Sequence, residues 1–240
     1  MSKLAFIFPG QGAQKAGMGK DFYENSEAAR SFFDQAQKIL DFDLKEMCFG
    51  EHEELNLTEY TQPCMVSVCL AIVQELKKRG INPDITAGLS LGEYGALIAS
   101  GAMTMADAFA VVRKRGIYMQ EAVPTGGAMT AVLGLDPQVI EDICKKTADE
   151  TNSVVSVANY NCPGQIVITG EKAAVDAAAA ACSEAGAKRC VPLKVSGPFH
   201  SAMLKGAGEK LADALESVEI HDIKVPYITN VTADYVKSPA

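Results

Sequence analysis

Short apolar runs alternate with longer amphipathic stretches along this chain, and the two periods predict different elements. Leu4 to Phe8 and Ile85 to Leu89 are apolar runs of strand length, the second preceded by the turn residues Asn82-Pro83-Asp84. Phe22, Ala29, Phe32, Phe33, Ala36 and Leu40 fall near one face of a helix predicted over 22–40, and the same period predicts a helix from Val66 to Lys78. Glu93 to Ala99 continues as helix directly after the second strand. Thr104 caps a further helix that runs to about Ala122, where Pro124 and Gly126-Gly127 end it. These elements read as one α/β layer.

The pattern changes over 127–195. Met129 to Leu135 alternates as a strand, Pro137 to Ala148 is helical, and Val154 to Ala158 and Gln165 to Thr169 are strands joined by a Pro163-Gly164 turn. An alanine-rich helix from Glu171 to Ala185 and a strand from Lys188 to Val195 complete a β-α-β-β-α-β order, that of a ferredoxin-like split unit. After it the chain returns to the first layer with a helix over 201–217 and a strand over 225–229. The expected organisation is therefore a large α/β domain from 1–126 and 196–240, interrupted by a ferredoxin-like subdomain at 127–195.

Composition narrows the function classes. The 240 residues are 48% hydrophobic and 22% charged with only 10 prolines, the profile of a folded globular chain able to bury a large core. A formal net charge of −8 removes the electrostatic attraction that nucleic-acid binding needs. No apolar run is long enough to span a bilayer and the first residues do not form a signal peptide, so a cytoplasmic location is expected. Seven cysteines without a Cys-x-x-Cys, and no histidine at ligand spacing, point to reduced, mostly buried thiols and no metal site.

Candidate chemistry begins at Gly88-Leu89-Ser90-Leu91-Gly92. In Gly-x-Ser-x-Gly the serine occupies a strained strand-to-helix turn, a nucleophile elbow, and the predicted strand and helix on either side supply that context. This makes the large domain α/β-hydrolase-like, with a parallel sheet. The bland alternative is a glycine-bracketed turn with an incidental serine. Gly10-Gln11-Gly12, after the first strand, matches neither a dinucleotide fingerprint, which wants glycine at Lys15, nor a P-loop, which wants glycine at Gln14 and Ser or Thr at Asp21. It is either a plain turn or a loop whose backbone N–H groups approach a ligand, as an oxyanion hole requires.

A serine nucleophile needs a base, and three histidines are present. His52 lies between Glu51 and Glu53 in a polar stretch and reads as a surface residue. His221, before Asp222, fits surface or site equally. His200 follows Gly197-Pro198-Phe199 and opens the predicted helix, where a tight turn can fix the ring at a cleft edge. Arg113-Lys114-Arg115 is a basic run on a helix, and such runs are usually solvated. At about 100° per residue, however, one of the three can face inward while its neighbours face water.

Taken together, Phe-Pro-Gly-Gln-Gly-Ala-Gln (8–14), Thr61-Gln62-Pro63, Gly-Leu-Ser-Leu-Gly-Glu-Tyr (88–94), Arg115-Gly116, Ala158-Asn159-Tyr160-Asn161 and Gly-Pro-Phe-His-Ser (197–201) closely resemble the malonyl-CoA:acyl carrier protein transacylases of fatty acid synthesis. The resemblance covers nearly the whole chain. It implies that Ser90 is the nucleophile and His200 the base, that the Gln11 and Leu91 N–H groups hold the oxyanion, and that Arg115 grips the free malonyl carboxylate. Gln62, Asn159 and Phe199 would contact substrate, with Phe199 bulky enough to crowd a branched extender. Malonyl-CoA and acyl carrier protein are the implied partners, to a monomer that needs no cofactor. Carriers of this class are acidic and the chain is acidic too, so docking would rest on local positive charge at Lys188, Arg189 and Lys194.

Two departures stand out. Leu89 occupies the place where many relatives carry histidine, and family chains continue beyond Asn230-Val231-Thr232 with further helix and a glutamine that helps close the site. The resemblance thus implies a longer chain than the 240 residues present. Other readings use the same elbow: a polyketide-synthesis acyltransferase, or a serine (thio)esterase, which would need water in the site and has no use for a buried arginine. A non-catalytic carrier-binding module would not need Ser90 and His200 together.

Overall fold

A computed structural model describes residues 3–193, 195, 197–236 and 238. The chain divides into two compact units, Met1–Ile117 with Leu211–Ala240, and Tyr118–Lys210. The second is wider at both ends than the subdomain expected at 127–195, because the division falls inside two helices and not at the turns that flank them.

The first unit carries β1 (Ala5–Phe8), α1 (Lys20–Asn25), α2 (Glu27–Gln37), α3 (Leu44–Phe49), α4 (Thr58–Lys78), β2 (Ile85–Gly88), α5 (Gly92–Ser100) and the larger part of α6 (Met105–Ala122). The second carries β3 (Gly127–Leu133), α7 (Pro137–Thr151), β4 (Val155–Cys162), β5 (Gln165–Glu171), α8 (Lys172–Glu184), β6 (Arg189–Pro192) and the start of α9 (Lys205–Leu215). Short strands β7 (Tyr227–Ile228) and β8 (Tyr235–Val236) return to the first unit. Among the described residues no helix is long and apolar enough to cross a membrane.

The first sheet has the order β1-β2-β7-β8, with β1, β2 and β7 parallel and β8 antiparallel to β7. Phe6 and Phe8 on β1 point into a core with Phe33, Leu70, Leu91 and Phe109. The alternate residue Ile7 is 76% exposed, so the other face of this strand meets solvent. The helix predicted over 22–40 is two helices. Ser26 leaves the helical region at φ −127°, accepts the Ala29 N–H at 3.1 Å and donates its hydroxyl to Glu75 at 2.6 Å, which makes it the N-cap of α2.

Helix α4 starts eight residues before Val66 and passes through Pro63. A proline inside a helix leaves the carbonyl four residues earlier without its donor. Here that carbonyl, on Glu59, accepts instead from Arg113 Nη1 at 2.8 Å. Arg113 also forks onto Asp41 at 2.8 and 3.3 Å and lies over the rings of Phe42 and Tyr60. A side chain from α6 therefore repairs the break that local sequence predicts.

The second sheet is antiparallel in the order β4-β5-β3-β6. Ile140 and Cys144 of α7 and Val175, Ala178 and Cys182 of α8 bury one face of it with Val132, Val155, Ile166 and Ile168. Strand β4 runs to Cys162 and carries register shifts at Val157/Asn159 and Tyr160/Cys162, so it outlasts the segment predicted to end at Ala158.

Candidate active site

In the first unit β2 ends at Gly88 and α5 begins at Gly92, leaving three residues to reverse direction. The turn is closed by Gly92 N–H to the Leu89 carbonyl at 2.9 Å and Glu93 N–H to that of Ser90 at 3.2 Å, and it is tied to β1 by Leu89 N–H to the Phe8 carbonyl at 3.1 Å. A Cβ on Gly88 would stand 2.1 Å from the Gly92 carbonyl carbon, and one on Gly92 would stand 2.2 Å from the Phe8 carbonyl oxygen. Both glycines are thus required by backbone contact. Ser90 sits at φ 51°, a left-handed conformation that costs a non-glycine residue about 1–3 kcal/mol and is found where function holds it.

Arg115 reaches this serine. Its Nη2 donates to Ser90 Oγ at 3.0 Å and its guanidinium carbon lies 5.7 Å from the centre of the Tyr94 ring. The side chain is 8% exposed, Arg113 is half-buried and Lys114 is exposed, which is the inward-facing choice that helix geometry allowed. Gly116 makes this position reachable: a Cβ there would come within 2.7 Å of Glu59 Cα and 2.8 Å of the Thr58 carbonyl oxygen, so α6 lies directly against the start of α4. Burial draws the Arg115 pKa down, with Tyr94 and Glu93 opposing, yet guanidinium stays charged in any protein. Among the described residues no carboxylate lies within ion-pair distance of it. A buried cation beside a serine hydroxyl, with no ion pair among the described residues, has donors that an anionic group could use.

The Gln11 loop meets the elbow from β1, close enough that a Cβ on Gly10 would be 3.0 Å from the Leu89 carbonyl oxygen. Gln11 Nε2 donates to Thr58 Oγ1 and Gln62 Nε2 to Gln11 Oε1, each at 3.3 Å. Gln62, a candidate substrate contact, is fully buried and its amide donates to the side chain of Gln11. Leu91 is 1% exposed and packs in the core, so only its backbone can serve a ligand. Among the described residues neither the Gln11 nor the Leu91 N–H meets an acceptor; Leu91 is the N-cap of α5, where donors stay open, and Gln11 lies in the turn after β1.

The remaining candidates lie in the second unit. His200 stands at φ 63°, the left-handed region again, in a turn where Ser201 N–H donates to the Pro198 carbonyl at 3.3 Å and Ser201 Oγ accepts the Met203 N–H at 3.2 Å. It precedes the helix instead of opening it, and its side chain is exposed. Phe199 is 6% exposed and packs with Met119, Met129, Ala131 and Val167. Asn159 is half-buried at the first register shift of β4. Lys188 and Arg189 are exposed at the start of β6, with the Lys188 stem lying over Gly134. Lys194 lies outside the described residues.

Sequence reasoning missed three residues of the first unit. Tyr94 underlies Arg115. Asn230, just past β7, accepts the Ser90 backbone N–H with its side-chain oxygen, and its own N–H donates to Glu93 Oε1 at 2.9 Å. Ser90 and Asn230 are 140 residues apart, beyond any local spacing rule.

The chain matches the model of the acyl transferase domain over residues 5–240. It is 49% identical to the malonyl CoA-acyl carrier protein transacylase of Bacillus subtilis, over all of this chain and 76% of that protein. It is 45% identical to the Staphylococcus aureus protein of the same name, over 97% of this chain and 75% of the other. The crystal structure of MCAT from Streptococcus pneumoniae superposes with a TM-score of 0.91 at 48% identity, covering 97% of this chain and 76% of that one. A malonyl-transacylase solved in complex with a type II polyketide acyl-carrier protein superposes at 0.93 and 42% identity, over 99% of this chain and 77% of its own.

Proposed function

The chain belongs to the acyl transferase domain family, and from that membership we propose that it moves a malonyl group from malonyl-CoA to the phosphopantetheine thiol of an acyl carrier protein. The observation that carries this reading is Arg115, buried, without an ion pair among the described residues, and bonded to Ser90 Oγ at 3.0 Å. An esterase has no use for such a cation. A malonyl group brings a free carboxylate that a planar guanidinium can bind in two places.

Ser90 Oγ attacks the thioester carbonyl while His200 takes its proton, and the Gln11 and Leu91 N–H groups receive the charge that develops on the carbonyl oxygen. The carbon–sulfur bond breaks, coenzyme A leaves with the proton from His200, and malonyl-Ser90 remains. The carrier thiol then gives its proton to His200, attacks the ester, and Ser90 Oγ departs reprotonated. Each half-reaction exchanges one activated acyl bond for another, so no cofactor is required. The left-handed backbones of Ser90 and His200 support these roles, since strain of that kind is retained where a side chain must be aimed. The order of the smaller sheet supports reading the second unit as ferredoxin-like.

The carrier of fatty acid synthesis is the first reading. A polyketide carrier is the second, favoured by the relative solved with one. Carrier docking is assigned to Lys188 and Arg189, whose charge reversal raises the apparent KM for the carrier and leaves acylation alone. Incubation with malonyl-CoA, with and without each carrier, followed by intact-mass analysis tests the whole scheme. Malonyl on Ser90 that transfers to the carrier supports it; release of free malonate in both cases makes the protein a hydrolase.

A further inference from the structure

Ser90 holds a left-handed backbone that is unfavourable without outside support, and the support comes from the far end of the chain. Strand β7 runs parallel to β2 with Ala87 opposite Ile228, so the residues that follow each strand emerge side by side at the same edge. Asn230 thereby arrives next to Ser90. Its Oδ1 takes the Ser90 N–H, and its own N–H is taken by Glu93 Oε1 at 2.9 Å. Glu93 lies in the first turn of α5, where the helix favours a carboxylate. Thr229 steadies the loop from below: its hydroxyl accepts the N–H groups of Val231 and Thr232 at 3.1 and 3.3 Å, and its own N–H donates to the Asp234 carbonyl at 3.1 Å.

We propose that Asn230, held by Glu93, is a positioning residue for the nucleophile: by accepting the Ser90 N–H it fixes the left-handed turn that aims Oγ. It touches no reacting atom. Losing the acceptor removes one of the bonds that hold Ser90 in its left-handed conformation, and a shift toward ordinary dihedrals swings Oγ away from Arg115 and from the two oxyanion donors. A displacement of about 1 Å at a reacting group costs on the order of 10²-fold in rate.

The proposal rests on Ser90 being the acylated residue, so two readouts are needed. One is labelling of Ser90 by a fluorophosphonate probe, which reports nucleophile geometry whatever the natural substrate; the other is single-turnover malonylation. Asn230→Ala slows both by about 10²-fold, with the concentration dependence on malonyl-CoA unchanged. The paired exchange Asn230→Asp with Glu93→Gln keeps both acceptors and the net charge, and restores most of the rate. Glu93→Ala gives a smaller loss, and combining it with Asn230→Ala adds nothing, because both act on one chain of contacts. The melting temperature is followed for each protein. Wild-type rates in Asn230→Ala, or no recovery in the paired exchange, overturn the proposal. Should Asn230→Ala not fold, the comparison of Glu93→Ala with Glu93→Gln decides: equal rates overturn it, and a loss confined to alanine sustains it. A wild-type protein that takes the probe but no malonyl group refutes the malonyl reading while the probe still tests the clamp.

Discussion

Arg115 Nη2 and Ser90 Oγ stand 3.0 Å apart, with the arginine 8% exposed and Tyr94 beneath it. The serine hydroxyl accepts from this cation, whose guanidinium is the group proposed to receive the malonyl carboxylate. The residue proposed to read the substrate is thus in direct contact with the residue proposed to attack it.

Arg115→Ala is expected to lower kcat/KM for malonyl-CoA far more than for acetyl-CoA, because only malonyl loses a bidentate partner. The difference should be about 2–5 kcal/mol, the range for truncating one side of a buried charge pair. Parallel steady-state assays with the two donors check this. Proportional loss of both activities would show that Arg115 supports the fold and does not read the carboxylate.

Among the histidines, His200→Ala should slow acylation by roughly 10²–10⁴-fold, the usual worth of a general base. His52 and His221 already have acidic neighbours, His52 Nε2 at 3.0 Å from Glu46 and His221 Nδ1 at 3.6 Å from Glu219. Their alanine variants should retain near wild-type rates in the same single-turnover assay. A loss at His221 matching that at His200 would reassign the base.

Asp41 predicts a pH dependence of stability. The hydrogen bonds from Arg113 hold its carboxyl below the ordinary 3.8 against the opposing effect of burial. The folded value being depressed, the pair's stabilisation is fully present above the unfolded value and is lost as pH falls through the folded one. Asp41→Asn should therefore lower Tm at pH 7, by a modest amount because the carboxylate is largely exposed. The gap to wild type should close below pH 3.8. Calorimetric scans across that window check it, and a gap independent of pH would mean that the charge contributes nothing.

Neighbouring residues on β1 should differ sharply. Phe8 is 4% exposed beneath Gly92 and Gly95, and its truncation to alanine should cost about 3–5 kcal/mol. Ile7, 76% exposed, should tolerate threonine within about 0.5 kcal/mol. Urea unfolding of both variants measures the two effects, and comparable costs would contradict the one-sided burial of this strand.

The elbow was legible in the sequence because its constraints are local: Gly88 and Gly92 are dictated by backbone contacts within a few residues and with the adjacent strand. The two-period pattern likewise identified the β-α-β-β-α-β stretch, and the helix period allowed Arg115 to face inward. What periodicity could not supply was any feature made by distant partners. The single helix read over 22–40 is split by Ser26, whose cap is completed by Glu75, and α4 passes Pro63 because Arg113 from α6 takes the stranded Glu59 carbonyl. Gln62 and Phe199 carry no mark in sequence that fixes their burial, which the assembled packing sets. Asn230 reaches Ser90 only because β7 pairs in register with β2, and strand register is a property of the assembled sheet. Chemical identity and local turns were therefore written in the chain, while the placement of the groups that aim and support them was decided by tertiary pairing.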